Sequence, residues 1–417
     1  MDYLNPARTP YTAQDRALIG VEHARRARAR FAGHPAYRPT PVRTIPGLAG
    51  TAAVHVKDES GRMGLGSFKA LGGAYAVHLL DEREPGGPPF VCASAGNHGI
   101  SVASGAAEVG VPSVVYLSEG VPETFAERLR ALGAEVRRAG EDYDASMVAA
   151  QQAAQEHGWR LVADSSWEGY TAIPLDVMRG YTVLFDEVAE LGTGKPGSGR
   201  PGERPSASAP GAGGPGALGA GLDGVPTHAP DGVPTHVPDG ADGASIHVPD
   251  GPLTHVLAEP SSHMPAGGPP THVFVQAGVG GLAAAAAGYV RDRWGEQPRI
   301  VVVEPEAAPC LLESARAGEP VRVPGGRTTL GRLDCREPSL LAYRLLDHLT
   351  DLFMTITDDQ AEAAARLLAG HGVEVSACGA AGAAGLLALG PAARDALGLD
   401  DASHVLLVGT EGIVEPK

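Results

Sequence analysis

"THVFVQAGVGGLAAAAAGYV", residues 271–290, decides the architecture of this chain. It opens with a short β-branched and aromatic run, passes through a glycine-rich turn and continues as an alanine-rich stretch with helical character. A buried apolar strand that runs through a glycine loop into a helix is the repeating unit of a parallel sheet covered on both faces. The loop itself carries chemistry. Residues Gly278, Val279, Gly280, Gly281 and Leu282 sit where a helix begins, and a helix amino terminus offers free N–H groups and the positive end of the helix dipole to an anion. The loop lacks the Lys-Ser/Thr of a nucleoside-triphosphate loop and the full spacing of a dinucleotide loop, so the phosphate it would hold belongs to another ligand.

The same pattern recurs along the chain. Short apolar runs lie at 90–95 ("FVCASA"), 113–117 ("SVVYL"), 300–305 ("IVVVEP") and 404–410 ("HVLLVGT"). Stretches with helical spacing, such as 123–135 and 359–372, lie between several of them. Strands alternating with helices give an α/β fold, and in such sheets ligands bind beyond the carboxyl ends of the strands.

Composition narrows the function. The formal charge of -16 over 417 residues argues against nucleic acid or an anionic membrane as the main partner. The basic run "HARRARARF" (23–31) has arginines spaced for a solvated helix face. No uncharged apolar run is long enough to span a bilayer, and residues 1–8 show no apolar signal core. Four cysteines in a chain this size do not make a disulfide scaffold. The expectation is a cytoplasmic enzyme with a small-molecule substrate.

Residues 193–270 do not belong to the alternating pattern. They are dominated by Gly, Pro, Ala, Ser, Asp and His and hold too few apolar side chains to offset the entropy of ordering, so disorder is expected. An imperfect repeat ("DGVPTHAP", "DGVPTHVP", "DGASIHVP", "DGPLTHV") carries His228, His236, His247 and His255. Copying a segment copies its histidine, so no metal site is expected from them.

Three further segments carry polar chemistry. "GLGSFKALGGAYAV" (64–77) places Lys69 inside a tightly packed Gly/Ala stretch, where a lysine readily shifts its pKa and suits Schiff-base chemistry. "SAGNHG" (94–99) follows a strand and offers Asn97 as a donor, although the same residues serve an ordinary turn. "LVGTEG" (407–412) delivers Thr410 from the last strand. A lysine, an asparagine loop, a phosphate loop and a terminal threonine are together the needs of one cofactor, pyridoxal phosphate.

These stretches carry a resemblance. With "DSSWEGYTAIP" (164–174), "MRGYTVLFDE" (178–187) and "VVEPEAAPC" (302–310), the chain resembles the fold type II, tryptophan synthase β-like, pyridoxal-phosphate enzymes. That group includes the serine and threonine dehydratases, and within it the chain is most similar to the diaminopropionate ammonia-lyase family. The resemblance implies two open, mostly parallel sheets within a domain over 35–412, a smaller lobe at about 75–185, and a homodimer. It implies that Lys69 binds the cofactor covalently, that Asn97 faces the phenolic oxygen, that residues 278–282 cradle the phosphate and that Thr410 lies near the ring nitrogen.

The family uses two aspartates as bases toward opposite enantiomers of 2,3-diaminopropionate. Asp164 occupies one position, while the other, just before "GNHG", is Ala95. The expected activity is therefore elimination from 2,3-diaminopropionate to pyruvate and ammonia, with the L-isomer preferred. A serine/threonine-type dehydratase is the alternative, and a cofactor-binding protein without turnover is a third reading. Cys378 stands near the place of a family glutamate. Cys310 and Cys335 stand where the family has a cysteine pair able to form a disulfide.

Overall fold

A computed structural model describes residues 1–94, 96–191 and 268–413. Ala95 lies outside the described residues, as does the expected insert apart from its last three residues.

Among the described residues eleven strands occur in chain order: β1 (Asp2–Leu4), β2 (Val42–Pro46), β3 (Ala53–Asp58), β4 (Phe90–Ala93), β5 (Ser113–Leu117), β6 (Glu135–Arg138), β7 (Arg160–Leu161), β8 (His272–Gln276), β9 (Arg299–Pro305), β10 (Leu352–Ile356) and β11 (His404–Gly409). They form a seven-stranded sheet, ordered β1-β10-β9-β8-β11-β3-β2, and a four-stranded sheet, ordered β6-β5-β4-β7. Only the edge strands β1 and β2 run antiparallel to their neighbours. The two mostly parallel sheets expected from the sequence are present. β4, β5 and β8 are buried along their whole lengths, which is why they read as unbroken apolar runs without alternation.

β3 is equally buried but carries His55, Lys57 and Asp58. Lys57 Nζ is held by Glu187 Oε2 at 2.5 Å and the Thr40 carbonyl at 2.7 Å. Arg62, fully buried, bonds both Glu59 and Glu187. Each charge in this network has a partner, which is the condition for burying it.

The Gly/Ala character of residues 70–76 is a packing requirement. A Cβ on Gly72 would lie 2.2 Å from Tyr181 Cε1, and one on Gly180 would lie 2.3 Å from the Leu71 carbonyl oxygen. The helices Lys69–Arg83 and Ala172–Leu191 thus touch backbone to backbone. This close seam seats Lys69 against the core. In the helix Val21–Phe31 the expected solvated arginine face is partly docked: Arg28 pairs with Asp186 at 3.0 Å and Glu190 at 2.5 Å. Among the described residues no helix is long and apolar enough to cross a membrane.

Candidate active site

The carboxyl ends of β4, β8 and β11 open onto one cleft. It is lined by every residue singled out from the sequence as a cofactor or catalytic group: Lys69, Asn97, Asp164, Gly278, Val279, Gly280, Gly281, Leu282 and Thr410.

Local backbone bonds explain how Lys69 and Thr410 come together. The Phe68 N–H donates to the Thr410 carbonyl at 3.0 Å, and the Gly412 N–H donates to the Gly66 carbonyl at 3.1 Å. These bonds tie the start of the helix Lys69–Arg83 to the segment leaving β11. Lys69 Nζ then donates to Asp164 Oδ2. Burial pulls the Lys69 ammonium down, but Asp164 beside it outweighs burial and raises its pKa. Burial pushes Asp164 up, and Lys69 outweighs it and holds the carboxyl well below its usual range. The pair is ionised across neutral pH.

Asp164 is positioned by its own segment. Two residues on, Ser166 Oγ accepts from the Leu341 N–H at 2.8 Å and pairs with Ser339 Oγ at 2.7 Å. This anchors the Asp164 loop to the start of the helix Leu340–Leu349. His98 lies nearby, with Nδ1 4.0 Å from Asp164 Oδ2. Its Nε2 is 2.8 Å from the Val162 carbonyl, which can only accept, so Nε2 carries the hydrogen. Burial lowers the pKa of His98 and favours the neutral ring.

Elsewhere in the cleft wall, Asn97 Nδ2 donates to Glu411 Oε2. Glu411 Oε1 accepts from Ser376 Oγ at 2.7 Å. Because a carboxylate only accepts, this contact fixes which way the Asn97 amide faces and leaves its second N–H for another oxygen. Thr410 Oγ1 accepts from Gln276 Nε2 at 3.1 Å, which leaves the Thr410 hydroxyl hydrogen to donate elsewhere. The carbonyls of Cys378, Gly379 and Val408 lie at 3.0–3.1 Å from the same Gln276 nitrogen and share its two hydrogens.

The glycine loop enters the helix Gly281–Trp294 with Gly280 at φ +97°, a conformation that L side chains rarely adopt. A Cβ there would also lie 3.1 Å from Ala342 Cβ and Leu311 Cδ1. The first-turn amides of this helix have no acceptor within it. Cys310 and Cys335 flank the loop as free thiols. Cys310 Sγ donates to the Gly278 carbonyl at 3.7 Å. Burial pushes the Cys335 thiol up to about 12, with Asp164 adding to the effect. Cys378 is also buried in the cleft wall, and burial together with Glu411 pushes it up to about 12.

Sequence reasoning missed Glu411, His98, Tyr143 and Asp334, all of which line the cleft. Glu411 stood beside Thr410 in a quoted motif, and His98 stood beside Asn97. Tyr143 and Asp334 had no motif signal.

The donor set fits one ligand. A lysine amine, helix-terminal amides, a spare amide hydrogen on Asn97 and a spare hydroxyl hydrogen on Thr410 match an aldehyde, a phosphate, a phenolic oxygen and a ring nitrogen. The chain belongs to the pyridoxal-phosphate-dependent enzymes, whose family model matches residues 34–200 and 241–411. Within that class it is 28% identical to the diaminopropionate ammonia-lyase of Escherichia coli (strain K12), over 448 aligned residues that span 100% of this chain and 93% of that protein. The crystal structure of the Escherichia coli diaminopropionate ammonia-lyase with an aminoacrylate–PLP azomethine reaction intermediate matches with a TM-score of 0.73. The match has 27% identity and covers 99% of this chain and 93% of that one. The L-serine dehydratase/L-threonine deaminase of Bos taurus is 34% identical over 151 residues, covering 34% of this chain and 45% of that protein.

Proposed function

We propose that this chain eliminates ammonia from 2,3-diaminopropionate, with water consumed and pyruvate and two molecules of ammonia formed, and that it prefers the L-isomer. The observation that carries the reading is the Lys69–Asp164 pair, set in one cleft with the glycine loop and Asn97. Full-length likeness to diaminopropionate ammonia-lyases supports the substrate.

Lys69, Asn97, residues 278–282 and Thr410 would hold the cofactor. When bound, pyridoxal phosphate supplies an aldehyde for the substrate's α-amino group and an electron-withdrawing ring that acidifies the Cα–H bond. Asp164 takes the Cα proton of the L-isomer. In the ion pair it is a weak base, since Lys69 depresses it. Once Lys69 gives up its charge, burial dominates and Asp164 becomes a stronger base. The β-amine, bound as ammonium, then departs as ammonia and needs no further proton. Asn97, held by Glu411, keeps one N–H aimed into the cleft throughout.

A serine/threonine-type dehydratase is the second reading, favoured by Ala95 where the ammonia-lyase family has an aspartate. A protein that binds the cofactor without turnover is disfavoured by the retention of both Lys69 and Asp164. The protein is further proposed to be a cytoplasmic homodimer, with a catalytic domain over 35–412 and a smaller lobe at about 75–185. One assay separates the readings. Purified protein is given L- and D-2,3-diaminopropionate, serine and threonine, and pyruvate or 2-oxobutyrate is followed. Turnover of serine or threonine in preference to the diamino acid would replace the first reading by the second; no turnover of any would leave the third.

A further inference from the structure

A second hollow adjoins the cleft and shares Tyr143, Val279, Asp334 and Cys335 with it. Acidic residues crowd both, and nearly all of them are committed. Asp164 holds Lys69, and Glu411 holds Asn97 and Ser376. Asp142 caps the helix Tyr143–His157 through the Ala145 N–H at 2.9 Å. Asp144 and Glu337 both pair with Arg322.

Asp334 is the exception. Its Oδ1 is shielded from solvent, and it has no hydrogen-bond partner among the described residues. No cation of the described residues lies within ion-pair distance of it. Arg336, two residues on, acts on it only from beyond ion-pair distance and lies against Gly325, where a Cβ would meet its Nε at 2.4 Å. A half-buried carboxylate with one shielded oxygen that accepts no hydrogen bond is costly to the free protein and is relieved by a cation that enters the cleft. Lys69 cannot serve, because Asp164 occupies it.

We infer that Asp334 is a specificity-determining residue that receives the second ammonium group of a diamino-acid substrate. The assignment rests on the reading of the preceding section and sharpens it. Asp334 distinguishes a substrate charged at Cβ from one with a neutral hydroxyl or halide there, and it does so at the binding step. It performs no proton abstraction, so the chemistry of a substrate that lacks the second charge should not depend on it.

The test compares 2,3-diaminopropionate with 3-chloroalanine, which is neutral at Cβ, in the holoenzyme. Asp334→Asn should raise KM for the diamino acid about ten- to a hundred-fold, the range for loss of a hydrogen bond to a charged group. KM for 3-chloroalanine and kcat for either substrate should change little. Visible cofactor absorption serves as the check that the variant is folded and loaded. Should the asparagine variant lose its cofactor, Asp334→Glu, which keeps the charge, should retain the discrimination between the two substrates. Equal changes for both substrates, or no change for either, overturn the role of Asp334 while leaving the proposed function standing. Turnover of 3-chloroalanine but not of the diamino acid by the unaltered enzyme overturns the proposed function, and this assignment with it.

Discussion

Lys69 and Asp164 are each abnormal only because of the other. Removing Lys69 therefore does two separable things. Lys69→Ala should abolish turnover and any borohydride-reducible link between cofactor and protein. It should also cost the cofactor-free protein about 1–3 kcal/mol, since it leaves the Asp164 carboxylate without its donor. Adding Asp164→Asn should recover part of that stability but none of the activity; thermal denaturation of the two variants checks the first and the pyruvate assay the second. Handedness also belongs at this scale. Alanine at position 95 has no titratable atom, and a positioned general base contributes about 10²–10⁴-fold, so the L-isomer should be turned over faster by at least about 10². Comparable rates on both enantiomers would mean that another group serves the second face. Ala95→Asp should raise the D-rate.

At the scale of elements, the end of β9, facing the helix Cys310–Ala317, holds an unusual carboxyl group. Glu304 is fully buried and accepts the Leu311 and Leu312 N–H groups at 2.8 Å each. Those bonds favour its ionised form, but burial outweighs them and pushes its pKa up to about 8 from 4.5. Between those two values the folded chain holds a proton at this site that the unfolded chain has released. Stability from Glu304 is thus fully present below about 4.5 and declines as pH rises toward about 8. Glu304→Gln cannot titrate, so the difference in Tm between the unaltered protein and this variant should shift steadily against the unaltered protein from pH 5 to pH 8. A difference that stays constant with pH would show that Glu304 does not exchange its proton in this range.

For the whole molecule, both sheets and the complete cleft are built from residues on either side of 192–267. The composition of that segment offers little apolar surface to bury. Excising residues 197–266 should therefore leave soluble protein with cofactor affinity and kcat within about two-fold of the full chain, since long surface insertions cost little in closure entropy. Cofactor titration by absorbance and circular dichroism would measure this. Loss of folded protein on excision would show that the segment contributes packing or assembly.

The sequence by itself determined the central strands, the glycine loop and the lysine that lines the cleft. β4, β5, β8, β9 and β11 announce themselves because a strand buried on both faces is apolar over consecutive residues, a property readable in a short window. Gly280 and the Gly/Ala run after Lys69 are legible for a similar reason: steric demands on the backbone leave only small residues. What tertiary structure alone decided is where polar groups are buried and which of them remain free. β3 was hidden because Lys57 and Asp58 look like surface residues, and the partner that permits Lys57 inside, Glu187, lies 130 residues away. Glu411 reaches Asn97 across 314 positions. Asp334 differs from its acidic neighbours in having a shielded oxygen without a hydrogen-bond partner among the described residues, and that is a property of the assembled cleft. Apolar patterning is local, whereas the cost of burying a charge is settled by whatever the fold brings beside it.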